Sequence, residues 1–167
     1  ARLKGDPAMR QDALARLSKL TPSNIEVLNE LAAAAARARR WADAEQAYRR
    51  ILDLDPGSPD ALNQLGYIAA WQGRFSEAEE WHRDYAAAQP ESANPEDSLG
   101  EVLLMAGQFE KAEQAFVSSF SKQPDFNSGA AMEKAALACW LRGDETSARQ
   151  RLGEFVKSRL DRGDVLV

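Results

Sequence analysis

The chain has 167 residues, enough for one domain of ordinary size or one short repeat array. It contains 30 alanines but only 11 β-branched residues, which favours an all-α protein, because alanine loses no side-chain entropy in a helix. The composition, 44% hydrophobic and 28% charged, excludes a disordered chain. No apolar run approaches the roughly 20 residues of a membrane span, so we predict no membrane contact.

The net charge of −5 is unevenly distributed along the chain. Residues 1–50 carry +4, residues 51–100 carry −8 and residues 101–167 carry −1, and this acidic middle argues against a nucleic-acid partner. The single cysteine cannot form an internal disulfide, which fits the cytoplasm without excluding the periplasm. Because the chain begins with Ala1 rather than Met, we expect a fragment of a longer protein or a processed chain.

A period of 34 residues organises the sequence. A proline cannot continue a helix, so one at each interval marks the end of a helical unit. These prolines are Pro22, Pro56, Pro90 and Pro124. Five further columns keep the same step, among them Leu31, Leu65 and Leu99, then Ala32, Gly66 and Gly100, then Trp41, Phe75 and Phe109.

In chain order, the pattern predicts one helix within residues 7–20 and then a series of antiparallel helix pairs. Each pair has a first helix with apolar residues at helical spacing, a break, and a second helix that ends just before the next proline. The breaks fall at Arg39-Arg40, at Gln72-Gly73-Arg74 and at Gly107-Gln108. Small residues in the column of Gly66 and Gly100 are predicted to let the two helices of a pair approach closely.

These residues resemble the tetratricopeptide repeat, a 34-residue helix–turn–helix with this Leu-Gly, Ala, aromatic and Pro pattern. The resemblance implies an all-α, right-handed α-solenoid of antiparallel helix pairs, in which the first helices line a concave groove that holds an extended or helical peptide. It divides the chain into a partial repeat at residues 7–22 (a second helix only), repeats at residues 25–58, 59–92 and 93–126, and a degenerate fourth repeat at residues 129–162. A two-residue insertion near Asn127-Ser128 precedes the fourth repeat.

No arrangement of residues indicates catalysis, and we predict a protein that is not an enzyme and needs no cofactor or metal. His82 is the only histidine and lies in the aromatic column of Tyr48 and Phe116, which indicates packing. Cys139 lies in a packing column as well, and no base is expected beside it. The glycines are dispersed rather than grouped in a phosphate-binding loop.

Spacing from the packing faces predicts which side chains of the first helices line the groove. Asn63, Tyr67 and Trp71 are neighbours four residues apart, with a parallel stripe one repeat along. The predicted partner-binding residues are Asn29, Asp60, Asn63, Tyr67, Trp71, Asp97, Glu101, Met105, Glu133 and Trp140.

These side chains predict a protein or peptide partner with apolar or aromatic anchors flanked by basic residues. Tyr67 and Trp71 offer large contact area at low entropy cost, and the carboxylates attract Lys or Arg. The alternative is that Tyr67, Trp71 and Trp140 pack between adjacent first helices and seal the stack. Asp97 and Glu101 argue against the acidic chaperone tails that some members of this family clamp, and we expect no measurable binding of such a tail in a calorimetric titration.

We therefore expect a protein–protein interaction module, part of a larger bacterial regulatory or scaffold protein. Residues 92–101 resemble repeat segments of bacterial signalling proteins. One alternative is the non-catalytic arm through which an enzyme, such as a transferase or kinase, recruits its substrate. Another is self-association, with a homo-oligomer formed through the array ends, which the apolar tail Val165-Leu166-Val167 suggests.

Overall fold

The computed structural model describes the backbone of residues 7–163 and the side chains from Asp12 onwards. Within this range the chain is helical, without a strand, and a short 3₁₀ helix (Phe126–Gly129) precedes α8. The helices are α1 (Pro7–Leu20), α2 (Ile25–Arg37), α3 (Trp41–Leu54), α4 (Pro59–Trp71), α5 (Phe75–Ala88), α6 (Asn94–Met105), α7 (Phe109–Lys122), α8 (Ala130–Leu141) and α9 (Glu145–Asp161). The apolar tail Val165-Leu166-Val167, which suggested self-association in the sequence, lies outside the described residues.

The helices form four antiparallel pairs, α2 with α3, α4 with α5, α6 with α7 and α8 with α9. Each pair packs against the next, and α1 packs against α2 where the second helix of a preceding pair would lie. The all-α, right-handed solenoid of helix pairs that the sequence predicts is thereby confirmed. The exact division into repeats stays a prediction from the sequence.

The turn inside each pair adopts the same left-handed backbone conformation. Its φ is +55° at Arg39, +75° at Gly73, +71° at Gly107 and +85° at Gly143. Glycine adopts this conformation without steric cost, and three of the four pairs have a glycine at this position, where the first helix must end. Asn127 and Ser128 also have positive φ, and these two inserted residues form an irregular turn before α8.

Close packing inside the pairs depends on the small-residue column. A Cβ added at Gly100 would lie 2.5 Å from Cε1 of Phe116, and one at Gly66 would overlap the ring of His82. Both rings are completely buried. The predicted close approach of the two helices is therefore present, and the aromatic ring of the second helix fills the space that the missing side chain leaves.

Candidate functional site

The first helices α2, α4, α6 and α8 form one surface of the array, which we call the groove. Tyr67 of α4 donates a hydrogen bond from its hydroxyl to Oε2 of Glu101 on α6, at 2.7 Å. Lys134 of α8 donates to the other oxygen of that carboxylate, and to Oδ2 of Asp97 at 2.7 Å. Side chains from three successive pairs thus form one polar cluster, which we call the groove ion cluster.

Burial governs the electrostatics of the groove ion cluster. Asp97 is only 4% exposed, and burial raises the pKa of its carboxyl although the hydrogen bond from Lys134 opposes the rise. Burial also raises the pKa of the Tyr67 phenol. For Lys134, burial lowers the pKa, but hydrogen bonds to Asp97 and Glu101 outweigh it and the net pKa is raised. Lys134 therefore stays charged at neutral pH.

This pairing changes the expected chemistry of the groove. Asp97 and Glu101 are two of the four carboxylates behind the predicted preference for basic segments, and both are already paired with Lys134. The remaining two, Asp60 and Glu133, are exposed. Sequence reasoning missed Lys134. Lys134 is 33 residues from Glu101, close to the repeat period, and this spacing could have indicated that the two side chains meet.

A cavity of about 820 Å³, which we call the aromatic cavity, lies between α2, α3 and α4. The rings of Trp41 and Trp71 line it with centroids 5.4 Å apart, and Tyr67 stacks on Trp71 at 5.8 Å. Trp71 is 50% exposed, so its ring is accessible to a ligand. The lining residues are Asn29, Glu30, Ala33, Ala36, Arg37, Arg39, Trp41, Tyr48, Asp60, Gln64 and Trp71.

The rim of the aromatic cavity carries charges of both signs. Arg37, Arg39 and Asp60 are exposed there. Tyr48 is buried beneath them, and burial raises the pKa of its phenol, with Asp60 adding to the rise and Arg37 opposing it. An apolar wall with ionic groups at its edge can hold an apolar anchor and orient the polar backbone or side chains beside it.

The predicted site residues fall into two adjoining clusters, which Tyr67 joins by stacking on Trp71, and a separate cavity between α8 and α9. Asn29, Asp60 and Trp71 meet at the aromatic cavity, whereas Tyr67, Asp97 and Glu101 belong to the groove ion cluster. Asn63 is half-buried and Met105 is exposed. Glu133 and Trp140 line a different cavity of about 430 Å³ between α8 and α9. Trp41, which the sequence places in a packing column, is the aromatic neighbour of Trp71 that sequence reasoning missed.

His82 and Cys139, the two side chains that the sequence analysis weighed for catalysis, occupy structural positions. Nδ1 of His82 donates a hydrogen bond to the carbonyl oxygen of Ala78 at 2.8 Å, and burial lowers the pKa of the imidazole. Cys139 is buried, and burial together with Glu113 raises the pKa of its thiol to about 11, so the nucleophilic thiolate is disfavoured. Among the described residues, no three His, Cys, Asp or Glu side chains are grouped closely enough to bind a metal ion.

No helix in the described part of the chain is long and apolar enough to cross a membrane. An array of packed helix pairs with an open, aromatic-walled cavity defines a helical-repeat protein of the kind that acts by binding. Residues 35–96 match the family model described as tetratricopeptide repeat, which confirms the resemblance seen in the sequence over that segment. No curated protein matches the chain in sequence.

Solved structures share the fold over most of the chain. The crystal structure of MamA is 23% identical with a TM-score of 0.79, over 97% of this chain and 94% of that one. A tetratricopeptide repeat protein from Parabacteroides merdae is 16% identical with a TM-score of 0.76, over 94% and 60%. The O-GlcNAc transferase of Thermobaculum terrenum is 27% identical with a TM-score of 0.59, over 69% of this chain but only 22% of that one.

Proposed function

We propose that the chain is a non-catalytic protein–protein interaction module that binds a peptide segment of a partner in its groove. The observation that carries this proposal is the aromatic cavity, with Trp71 half-exposed between Trp41 and Tyr67. Rigid aromatic rings beside a cavity of about 820 Å³ suit an apolar or aromatic anchor of the partner.

The groove ion cluster supports the proposal in a different way. It ties α4, α6 and α8 together on the surface that the partner contacts, so the groove is held in shape before binding. A pre-organised surface loses less conformational entropy when it binds. The partner's charges then meet Asp60, Arg37 and Arg39 at the cavity rim rather than the paired carboxylates of the cluster. Asp60 would attract basic residues that flank the partner's anchor.

A second candidate function is the substrate-recruiting arm of an enzyme. The observation that favours it is the likeness to part of a transferase chain, of which the matched segment covers 22%. In that case the reading frame around these residues encodes a catalytic domain, and sequencing the gene on both sides decides between the two candidates.

The proposed site is tested with matched substitutions in a pull-down from the source lysate. Trp71→Ala removes the exposed ring of the aromatic cavity, and Leu54→Ala removes a comparably exposed apolar side chain (42%) at the end of α3. We expect the Trp71 variant to lose a partner that the unmodified chain and the Leu54 variant both retain, with circular dichroism showing all three equally helical. Equal retention by all three would refute the groove site.

The preference for an apolar anchor with basic flanks is tested with purified partner segments. In peptides of one captured partner, replacing the anchor by Ala should weaken binding about tenfold or more, as for a central hot-spot residue. Replacing flanking Lys or Arg by Gln should weaken it only a few-fold, since Asp60 is exposed and screened. Tighter binding after loss of the basic flanks would overturn the charge preference.

A further inference from the structure

The hydroxyl groups of the three tyrosines differ in their hydrogen bonding. The Tyr67 hydroxyl donates to Glu101 at 2.7 Å, and the Tyr85 hydroxyl accepts from the side-chain amide of Asn94 at 2.8 Å. Tyr48 is only 4% exposed, yet its hydroxyl has no hydrogen-bond partner among the described residues. Since most buried polar groups in proteins are hydrogen-bonded, this exception calls for an explanation.

The Tyr48 side chain forms part of the wall of the aromatic cavity. Burial is the main cause of the raised pKa of its phenol, with Asp60 adding to the rise and Arg37 opposing it. Both charged side chains line the same cavity, so the hydroxyl lies on the cavity side of the ring. A ligand that enters the cavity can therefore meet a neutral phenol, which donates one hydrogen bond and accepts another.

The side chains that occupy the same position in the next two pairs offer no such contact. In α5 it is His82, whose Nε2 also lacks a partner among the described residues but which is completely buried. In α7 it is Phe116, which is completely buried and has no polar side-chain atom. Of these three side chains, Tyr48 is therefore the one whose polar group a ligand can reach.

The charges around the aromatic cavity do not favour an anchor of either sign. Among the residues that line it are two carboxylates, Glu30 and Asp60, and two guanidinium groups, Arg37 and Arg39. Because the opposite signs offset each other, an anchor with a charged tip gains little net attraction inside the cavity. A neutral hydroxyl can accept from a cation and donate to a carboxylate, so it fits surroundings of mixed sign.

The aromatic cavity lies within the array rather than at one of its ends. α2 and α4 are consecutive first helices, and the cavity opens between them, where Trp71 is 50% exposed. A further repeat packed on either end of the array would lengthen the groove without filling this cavity.

We propose that the anchor of the partner segment is a tyrosine, whose ring lies against Trp71 and whose hydroxyl forms a hydrogen bond with the hydroxyl of Tyr48. This inference rests on the groove site of the proposed function and specifies the side chain that the site takes. The tyrosine ring matches the aromatic wall, and its polar tip replaces the solvent that leaves Tyr48 when the cavity fills. A phenylalanine would fill the same space but leave the Tyr48 hydroxyl unpaired.

The test compares peptides that differ only at the tip of the anchor. Three capped pentapeptides with a lysine at each end carry tyrosine, phenylalanine or phosphotyrosine in the middle. NMR titration of the complete chain measures their affinities from the indole N–H signals of Trp41 and Trp71, while Trp81 and Trp140, which do not line the cavity, serve as internal controls.

We expect the tyrosine peptide to bind about two- to tenfold more tightly than the phenylalanine peptide, the range of one net hydrogen bond. The phosphotyrosine peptide should bind no more tightly than the tyrosine peptide, because its added charge meets Glu30 and Asp60 as well as the two arginines.

Two matched variants assign the preference to one hydroxyl. Tyr48→Phe should weaken the tyrosine peptide about two- to tenfold and leave the phenylalanine peptide no weaker, so that the preference disappears. Tyr85→Phe removes a hydroxyl that does not line the cavity, and the preference should persist. Circular dichroism confirms that both variants remain helical.

The outcomes separate the tyrosine anchor from the groove site on which it rests. If Trp71→Ala abolishes binding but the tyrosine and phenylalanine peptides bind the unmodified chain equally, the groove site stands and the tyrosine anchor is refuted. A preference that survives Tyr48→Phe, or tightest binding by the phosphotyrosine peptide, refutes the anchor as well. If no peptide shifts the signals of Trp41 and Trp71, the groove site and the tyrosine anchor both fail.

Discussion

Gly100 is a position where the packing of α6 on α7 leaves no room for a side chain. In Gly100→Ala the new Cβ would lie 2.5 to 2.8 Å from three ring carbons of Phe116. Ordinary carbon contacts are about 3.5–4 Å, so α6 and α7 must separate by about 1 Å or the ring must move. Phe116 is completely buried and has no free volume to move into.

The magnitude follows from two opposing effects. Overpacking a well-filled core costs about 1–3 kcal/mol, whereas replacing a glycine inside a helix by alanine stabilises it by up to about 1 kcal/mol. We therefore expect Gly100→Ala to lower the free energy of unfolding by up to about 2 kcal/mol in urea denaturation followed by circular dichroism.

Gly153 supplies the matched control. It lies inside α9 with no atom within 4 Å of an added Cβ, so Gly153→Ala keeps only the helix-propensity gain. We expect it to raise stability by up to about 1 kcal/mol. Adding Phe116→Leu to Gly100→Ala reproduces the Ala136 and Leu152 pair of the last repeat and should recover part of the loss. If Gly100→Ala is as stable as Gly153→Ala, the close-approach argument is refuted.

Three further predictions concern the buried polar groups. Burial lowers the pKa of His82 below its ordinary 6.5, so the unfolded chain takes up a proton at a higher pH than the folded chain. The free energy of unfolding should therefore fall as the pH drops below 6.5. In denaturation series at about pH 7.5 and pH 5, His82→Phe should reduce this fall. Lys134→Met leaves Asp97 buried without its cation and should cost about 1–3 kcal/mol, less than a fully buried pair because Lys134 is 26% exposed, and adding Asp97→Asn should recover most of it, measured by thermal unfolding. Cys139 should resist a thiol reagent in the native protein and react at once in denaturant; rapid native labelling would contradict its burial.

The helix pairs were predictable because their determinants are local and repeated. Prolines end the second helices, and left-handed glycines such as Gly73 and Gly107 end the first ones, wherever they occur in the chain. Small residues opposite aromatic rings then bring the helices of a pair together. A signal that recurs every 34 residues is reinforced at each recurrence, so even the degenerate last pair is recognisable.

The site was predictable only in part. Periodicity places Trp71 on the groove side of α4, but it does not show that Trp41, 30 residues earlier, reaches the same cavity. It places Asp97 and Glu101 in one stripe, yet not the pairing with Lys134 that removes them as free charges. Such contacts depend on how far successive pairs rotate and translate, which a one-dimensional pattern does not contain.

The sequence by itself therefore determined the class of fold, the order of the helices and the faces they bury, because hydrophobic spacing, prolines and glycines act within one or two helical turns. Tertiary structure decided which exposed side chains meet. The aromatic cavity and the groove ion cluster each join residues from different helices. Their distances are set by packing between pairs, where a displacement of one ångström makes or breaks a hydrogen bond.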